Sequence, residues 1–303
     1  MNAKYLKGNI MLLITAAIWG LAFVAQSVGM EYVGSFTFQG VRFLIGAAVL
    51  VPVILIRNAL AKRAGKYSKM DKKEVSELLR GGLICGVLLG IASCLQQFGI
   101  SMTTVGKASF LTTMYILIVP LFGLALGKKV PVHIWGCIAL AVVGMYFLCM
   151  KENFTLQIGD TLVLLCSVMF AFQILAVDYY SPRVDGLSLS CLQFLVAGVA
   201  SIIPALLFEA PSLQSILQAW LPIVYAGAFS CGIAYTLQVI AQKYTQPTVA
   251  SLLMSLESVF ATVFAIILLH QIPSLREGIG CILMFVSTLI AQLPISNRIG
   301  KSK

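Results

Sequence analysis

Ten long apolar stretches dominate this sequence and constrain its fold more than any other feature. Each is about as long as the roughly 20 apolar residues that an α-helix needs to cross a bilayer. None shows the polar stripe of a helix that lies on a soluble core. The pattern predicts an all-α, polytopic membrane protein with ten transmembrane helices and little chain left for a soluble catalytic domain. The stretches cover residues 9–28, 34–56, 80–100, 104–126, 131–150, 157–178, 187–208, 216–240, 246–269 and 273–294.

Basic residues are distributed unevenly among the loops between these stretches. The net charge of +10 would suit a nucleic-acid ligand, but 13 of the 21 basic residues lie in the two terminal tails and the 57–80 loop. Cytoplasmic loops of membrane proteins are enriched in Lys and Arg. With a cytoplasmic amino terminus, 17 basic residues lie inside, three lie outside, and Arg42 lies within a span. We therefore predict no nucleic-acid partner and two cytoplasmic termini.

The two halves of the chain resemble each other. Residues 95–149 match residues 237–291 at a constant offset of 142, and Gln96 thereby corresponds to Gln238. Residues 14–52 match residues 165–203 more weakly, at an offset of 151. This predicts two domains of five helices each, residues 1–150 and 151–303.

An odd number of helices per repeat predicts that the second repeat enters the membrane from the opposite side. Equivalent loops should then differ in charge. The 57–80 loop carries eight basic residues, whereas the equivalent 209–216 loop carries none. Inverted repeats of this kind are typical of transporters that work by alternating access, in which two similar halves expose a central site to each side in turn.

Two charged residues lie inside the apolar stretches. Glu257 is near the middle of the ninth stretch, where a carboxylate is costly unless it is paired, protonated or hydrated. It is a candidate for binding a substrate cation or carrying a coupling proton, and the alternative is a protonated structural acid. Arg42 is about eight residues into the second stretch, where it either snorkels to the interface or faces a wet cavity. The two charges would suit a zwitterion such as an amino acid, or they would pair with each other.

Amides and aromatic residues form a second group of candidates. An amide in lipid must find hydrogen-bond partners, so each glutamine either joins helices or lines a shared cavity. Aromatic side chains within spans either fill the core or form the wall of a site for an amphipathic substrate. The amides are Gln39, Gln96, Gln173 and Gln238, and the aromatic residues are Trp19, Tyr115 and Tyr235.

Several motifs of energy-coupled and catalytic proteins are missing from the sequence. It contains no phosphate loop, no HExxH and no clear GxSxG, and its eight cysteines match no metal-site spacing. We therefore expect no cofactor, no metal and no enzymatic activity. Two alternatives remain at this point: a membrane-embedded enzyme that acts on a lipid-borne substrate, and a sensor or interaction protein without transport activity.

The sequence resembles the drug/metabolite transporter superfamily, specifically its EamA-type ten-helix exporters. The resemblance lies in Trp19-Gly20, in Arg42-Phe43-Leu44, and in the fourth and ninth helices, GKASFLTTMYILIVPLFGLALGKKVP (106–131) and ASLLMSLESVFATVFAIILLHQIPS (250–274). Many members have an acid near the end of these two helices, where this chain has Lys128 and His270. The resemblance covers nearly the whole chain.

The resemblance implies a secondary transporter of the bacterial inner membrane that moves amino acids, related metabolites or amphipathic drugs, often outward. It also implies that helices one to four and six to nine surround the site, with the fifth and tenth at the periphery. We therefore expect coupled movement of a small polar or amphipathic molecule, driven by an ion gradient or by exchange. The expected partners are the small-molecule substrate, the lipid bilayer, and a coupling proton or other ion.

Overall fold

The computed structural model describes residues 3–103, 105–128, 130–149, 157–269 and 274–291, and this part of the chain is helical without strands. The first half contains α1 (Ala3–Gly29), α2 (Ser35–Arg63), α3 (Lys72–Met102), α4 in two segments (Val105–Thr112 and Tyr115–Ala125) and α5 (Val132–Cys149). The second half contains α6 (Ile158–Tyr180), α7 (Gly186–Phe208), a short helix (Leu213–Gln218), α8 (Trp220–Ala241), α9 in two segments (Pro247–Met254 and Glu257–Leu269) and α10 (Leu275–Ala291).

Eight of these helices, namely α1 to α4 and α6 to α9, are long and apolar enough to cross a membrane. The apolar part of α5 is shorter, Val132–Phe147, and α10 has 17 residues. The predicted all-α, polytopic fold is therefore confirmed, while the count of ten crossings stays a prediction. Residues 104, 150, 273 and 292–294 of the predicted stretches lie outside the described part of the chain, as does the predicted domain boundary.

Helices α3, α4, α8 and α9 differ from the predicted stretches in where they begin or in how they are wound. Helix α3 begins eight residues earlier than its apolar stretch, because Asp71 and Glu74 form a reciprocal capping box that starts it in the polar loop. Helices α4 and α9 are each broken by a short turn, and α8 contains a π-helical segment over Tyr225–Tyr235. Apolar content predicts a span and is insensitive to such local changes of winding.

The contacts between helices follow a two-fold symmetry, in which each contact of a first-half helix has an equivalent contact of the corresponding second-half helix. Helix α1 packs on α8 and α9, and α6 packs correspondingly on α3 and α4. Helix α2 packs on α8, and α7 packs on α3. Helices α2 and α7 pack on each other, as do α5 and α10. Every main interface in the first half thus has a counterpart in the second.

Equivalent helices of the two repeats run in opposite directions. Along the α2–α7 interface, Gly40 approaches Ile202, Gly198 approaches Leu44, and the Cys191 thiol donates to the Ala47 carbonyl at 3.8 Å. Residue numbers rise along one helix as they fall along the other, so the pair is antiparallel. Because α2 and α7 occupy equivalent positions, the second repeat is inverted relative to the first.

Two bundles, each mixing helices of both repeats, form the body of the protein. We call α1, α8 and α9 the α1 bundle, and α3, α4 and α6 the α6 bundle. Contacts within each bundle are far more extensive than contacts between them, and α2 and α7 bridge the two. Helices α5 and α10 pack mainly on each other, with smaller contacts to α4 and α9. This is the peripheral position that the resemblance implied.

One pair of hydrogen bonds repeats within the bundles. In the α1 bundle, the Thr245 hydroxyl donates to the Asn9 side-chain oxygen at 3.1 Å. In the α6 bundle, the Thr103 hydroxyl donates to the Asp160 carboxylate at 2.5 Å. The threonines are equivalent at an offset of 142, and Asn9 and Asp160 are equivalent at an offset of 151. The contact therefore extends the weaker sequence match beyond residue 14.

Candidate functional site

A cavity lies between the two bundles. Eight of the nine predicted residues line it, and the ninth, Gln39, lies one turn away behind Arg42. Helix α7 contributes no lining residue, in contrast to the expectation from the resemblance. The lining residues are Trp19, Ala22, Phe23, Gln26, Arg42, Gln96, Thr112, Tyr115, Phe170, Gln173, Ile174, Ser230, Tyr235, Gln238, Met254 and Glu257.

Most of this lining is arranged in pairs related by the repeat. Twelve of the sixteen residues form six pairs in which each member occupies the same position in its repeat. The cavity therefore lies on the two-fold axis that exchanges the halves. The pairs are Trp19 with Phe170, Ala22 with Gln173, Phe23 with Ile174, Gln96 with Gln238, Thr112 with Met254, and Tyr115 with Glu257.

The breaks in α4 and α9 occur at equivalent positions beside this cavity. Helix α4 is interrupted at residues 113–114 and α9 at residues 255–256, which correspond at an offset of 142. Tyr115 and Glu257 begin the segments that follow, and the Tyr115 hydroxyl donates to the Glu257 carboxylate at 3.5 Å. Glu257 is 4% exposed. A carboxylate in the first turn of a helix is favoured by the positive end of the helix dipole, and broken helices commonly present such ends to transporter sites.

A close helix approach holds Glu257 against α1. A Cβ atom added to Gly20 would lie 2.8 Å from the main-chain oxygen of Glu257 and 2.7 Å from the main-chain nitrogen of Ala261. Only glycine leaves room for this contact. The Trp19-Gly20 pair therefore places an aromatic ring on the cavity and allows α9 to pack beside it.

Arg42 is held on the opposite side of the cavity by a series of amides. Its Nε donates to the Gln39 side-chain oxygen at 2.6 Å, and Gln39 Nε2 donates to the Ser93 carbonyl and to the Gln97 side-chain oxygen. The guanidinium also lies 4.9 Å from the centroid of the Phe43 ring. Arg42 is 2% exposed and lines the cavity, so the structure does not place it at the lipid interface.

Arg42 and Glu257 do not form an ion pair, since the salt bridges between described residues within 4.0 Å do not include them. The alternative that the two charges neutralise each other directly is therefore not what this conformation shows. Both charged groups face the same cavity from different helices. Two opposite charges in one cavity without mutual contact can each bind a group on a ligand.

On the second-repeat side the equivalent network is neutral. Gln193, the counterpart of Arg42, accepts from Gln173 Nε2 at 3.4 Å instead of reaching the cavity. Gln173 in turn accepts from Gln238 Nε2 at 3.3 Å, which joins α8 to α6. Gln96 donates to the Thr112 hydroxyl at 3.2 Å. Gln96, Gln173 and Gln238 thus connect helices and also line the cavity.

Three buried polar atoms at the cavity have no hydrogen-bond partner among the described residues. They are Trp19 Nε1, Gln26 Oε1 and Gln238 Oε1. A buried polar group left unpaired costs roughly 1–3 kcal/mol, so such groups in native proteins usually bind water or a ligand. The Trp19 ring packs 4.6 Å from that of Tyr235, which fixes the direction of its N–H.

The sequence did not single out the apolar lining residues. Phe170, Ile174 and Met254 are three of many large apolar residues in spans, and composition cannot separate them from core residues. A usable signal existed in the repeat, because they are the counterparts of Trp19, Phe23 and Thr112. Ser230 and Tyr235 lie in the π-helical segment of α8, and such segments frequently occur at functional sites.

Lys128, which replaces the acid of many relatives, lies outside the cavity. It pairs with Asp178 at the end of α6 and so joins α4 to α6 within one bundle. His270, its counterpart, lies outside the described residues. No group of three or more His, Cys, Asp or Glu side chains that could hold a metal occurs in the described part of the chain. The site is therefore described by its charges, amides and aromatic rings, which can bind a molecule non-covalently.

Fold and cavity together define a polytopic helical membrane protein with inverted repeats around a central polar cavity. The chain belongs to the EamA-like transporter family, whose model matches residues 6–150 and 157–292. An uncharacterised transporter of Archaeoglobus fulgidus is 27% identical over 300 residues, which cover 97% of this chain and 88% of that protein. The uncharacterised transporter YoaV of Bacillus subtilis is 22% identical over 288 residues, 93% of this chain and 95% of that protein.

A solved structure shares the fold. A crystal structure with 18% sequence identity matches with a TM-score of 0.76, over 94% of this chain and 96% of the other. The predicted family and the predicted fold class are thus confirmed, and the chain is a membrane transporter.

Proposed function

We propose that this transporter is a secondary carrier that moves a small zwitterionic or amphipathic metabolite, such as an amino acid, by alternating access. The observation that carries the proposal is the position of the cavity. It lies on the two-fold axis between the bundles and is lined by equivalent residues of both repeats. Rocking of one bundle against the other would expose this cavity to each side in turn.

The charges of the cavity support a zwitterionic substrate. Arg42 would bind an anionic group such as a carboxylate, since guanidinium groups match carboxylates in geometry and charge. Glu257 and the Tyr115 hydroxyl would bind the cationic group. Because each charge is nearly buried, a substrate that satisfies both would recover interactions that an uncharged solute cannot make.

The rest of the lining supports an amphipathic character. The rings of Trp19, Phe23 and Phe170 and the side chains of Ile174 and Met254 form apolar wall on several sides. The unpartnered atoms Trp19 Nε1, Gln26 Oε1 and Gln238 Oε1 would take up hydrogen bonds from the polar end of the substrate. Polar groups set in a wall with much apolar surface are typical of small-molecule sites.

Glu257 is available for one of two roles in coupling. Either it binds the substrate cation throughout the cycle, or it carries a coupling proton and exchanges it for substrate. The two roles differ in what is transported: only in the second does each cycle move a proton, so that an imposed pH gradient drives substrate movement through this residue. Outward transport, an inner-membrane location and cytoplasmic termini complete the proposal, supported by the resemblance and by the charge distribution of the loops.

Reconstitution tests this proposal. Purified protein in proteoliposomes should exchange a labelled amino acid from a panel in a saturable manner. Glu257→Gln should lower that exchange roughly 10-fold or more, because a charged contact contributes about 1.5–3 kcal/mol. Glu31→Gln removes an exposed acid outside the cavity and should leave exchange unchanged. Unsaturable flux, or equal flux in both variants, would refute the assigned site.

A further inference from the structure

Five side-chain hydrogen bonds cross between the α1 bundle and the α6 bundle in the described part of the chain, and their order along the membrane normal is informative. Tyr115 and Glu257 meet at the centre. The other bonds lie on either side of the cavity. They are Gln97 Nε2 to the Gln26 carbonyl, Ser109 with Ser258, Gln238 Nε2 to Gln173, and Gln242 Nε2 to the Ile174 carbonyl.

Gln97 and Gln242 lie at opposite ends of the cavity. We call the face that carries the α2–α3 loop, residues 64–71, the basic face. Gln97 and Gln26 are near the carboxyl ends of α3 and α1, on the opposite face. Gln242 follows the end of α8, and α8 is antiparallel to α1 because Thr245 bonds to Asn9 and Tyr225 bonds to the Ile18 carbonyl. Gln242 therefore lies toward the basic face.

The two bonds are counterparts under the exchange of repeats. Each joins an amide near the end of α3 or α8 to a main-chain oxygen of α1 or α6, at 3.2 Å for Gln97 and 3.0 Å for Gln242. The two glutamines do not occupy equivalent positions. The position equivalent to Gln97 is Val239, and the position equivalent to Gln242 is Ile100, so each amide lies about one helical turn from the counterpart of the other. An amide-to-carbonyl bond between the bundles thus occurs once on each face.

The Gln97 and Gln242 bonds are neutral and so weaker in kind than two bonds inside the α6 bundle. The α6 bundle is joined by the carboxylate bond of Asp160 and by the Lys128–Asp178 ion pair. Charge-assisted bonds are roughly twice as strong as neutral ones. A neutral amide-to-carbonyl bond changes an equilibrium by only about two- to tenfold. Bonds of this size can hold one end of the cavity closed and still break in each cycle.

We propose that Gln97 and Gln242 are gate residues, each of which closes the cavity on one face by donating to a main-chain carbonyl of the other bundle. The inference rests on the proposed alternating access. Breaking the Gln97 bond opens the cavity toward the face opposite the basic face, and breaking the Gln242 bond opens it toward the basic face. In the present conformation both bonds are formed.

The gates are tested by the side from which the cavity can be labelled. Ser230 lines the cavity, so Ser230→Cys provides a reporter thiol. Its reaction with a membrane-impermeant methanethiosulfonate reagent is measured in right-side-out and in inverted membrane vesicles. The same gate variants without the reporter supply the background of the native cysteines.

The expected results are opposite for the two gates. Gln242→Leu should speed labelling from the basic face about two- to tenfold and slow it from the other face, and Gln97→Leu should do the reverse. Gln218→Leu, an exposed amide outside the bundles, should change neither rate. Opposite responses in the two variants support the gates, and their sense also reports which face is cytoplasmic.

Two results would overturn the proposal, and they are distinguishable. If the wild type transports a substrate but both variants change labelling equally from both faces, or not at all, the glutamines are not gates and the carrier remains. If the wild-type reporter reacts from one face only, whatever substrate is added, and no flux is found, alternating access itself is wrong.

Discussion

The first repeat brings Arg42 to the cavity, whereas Gln193, at the equivalent position of the second repeat, bonds to Gln173 and stays away from it. The reverse holds at another equivalent pair of lining positions, where the second repeat supplies Glu257 and the first supplies the neutral Tyr115. The backbone is nearly symmetric, and the charges are not. The comparison suggests that the symmetric scaffold serves the two-sided movement and that the unequal side chains determine what is bound.

The largest expected effect comes from removing the charge that breaks the symmetry of α2 and α7. Arg42→Gln makes the first repeat match Gln193 and removes the only cation that the lining residues supply. Exchange of a zwitterionic substrate should fall roughly 10- to 100-fold, since a charged hydrogen bond contributes about 1.5–3 kcal/mol. Proteoliposome exchange measures the change.

Arg57→Gln is the matched control for this variant. Arg57 bonds to Asp185 at a loop and lies away from the cavity. The Arg57→Gln variant should bind substrate with the same affinity as the wild type. If both variants lose the same activity, or if Arg42→Gln retains full exchange, the cation of the cavity does not bind the substrate.

A smaller effect is expected where the repeats differ by one polar atom. Trp19 and Phe170 are equivalent aromatic residues on the cavity, but only Trp19 carries an N–H, and that N–H is unpartnered among the described residues. Trp19→Phe should raise the KM for exchange about two- to tenfold, because a neutral hydrogen bond contributes about 0.5–1.5 kcal/mol. Phe170→Tyr adds a polar atom on the other side and serves as the comparison. An unchanged KM in Trp19→Phe would show that this N–H makes no contact with substrate.

The smallest effect concerns the two ends of the α2–α7 pair. At one end Glu209 accepts from the main-chain nitrogens of Phe36 and Thr37. At the other, burial raises the pKa of the Asp185 carboxyl, but hydrogen bonds from Arg57 and Ser188 outweigh burial and hold the pKa below its ordinary value of 3.8. A lowered pKa stabilises the fold above about pH 3.8, and this stabilisation is lost as the pH falls through the lowered pKa.

Asp185→Asn tests this end of the pair. Both partners of the ion pair are more than one third exposed, so solvent screening limits the loss at pH 7 to less than about 1 kcal/mol. Thermal unfolding in detergent should show a lower Tm than the wild type at pH 7 and a smaller difference near pH 3. Asp71→Asn, at the exposed cap of α3, is the control. A difference that stays constant with pH would contradict the assigned ion pair.

Much of the fold and of the candidate site could be predicted from the sequence. Apolar stretches, loop charges and the repeat predicted an all-α fold with inverted halves, because the lipid requires long helices and excludes most other elements. Polar residues in spans were informative for the same reason. Eight of the nine candidates therefore lie around the cavity, although their roles as substrate contacts stay a prediction.

Other features could not be predicted from composition. The breaks at residues 113–114 and 255–256 and the π-helical segment of α8 change the winding of a helix without changing its hydropathy. The partner of Arg42 is local, one turn earlier on α2, but the contacts that hold this partner depend on tertiary packing. Gln39 lies behind Arg42 as a positioning amide, and the bond from Gln39 to Gln97 joins helices that the sequence does not place side by side.

A structure determined with a transported amino acid bound would test the central claim most directly. We predict ligand density in the cavity between the two bundles, with an anionic group within hydrogen-bond distance of Arg42 and a cationic group at Glu257. Density elsewhere, or a ligand in the cavity that touches neither residue, would contradict the account.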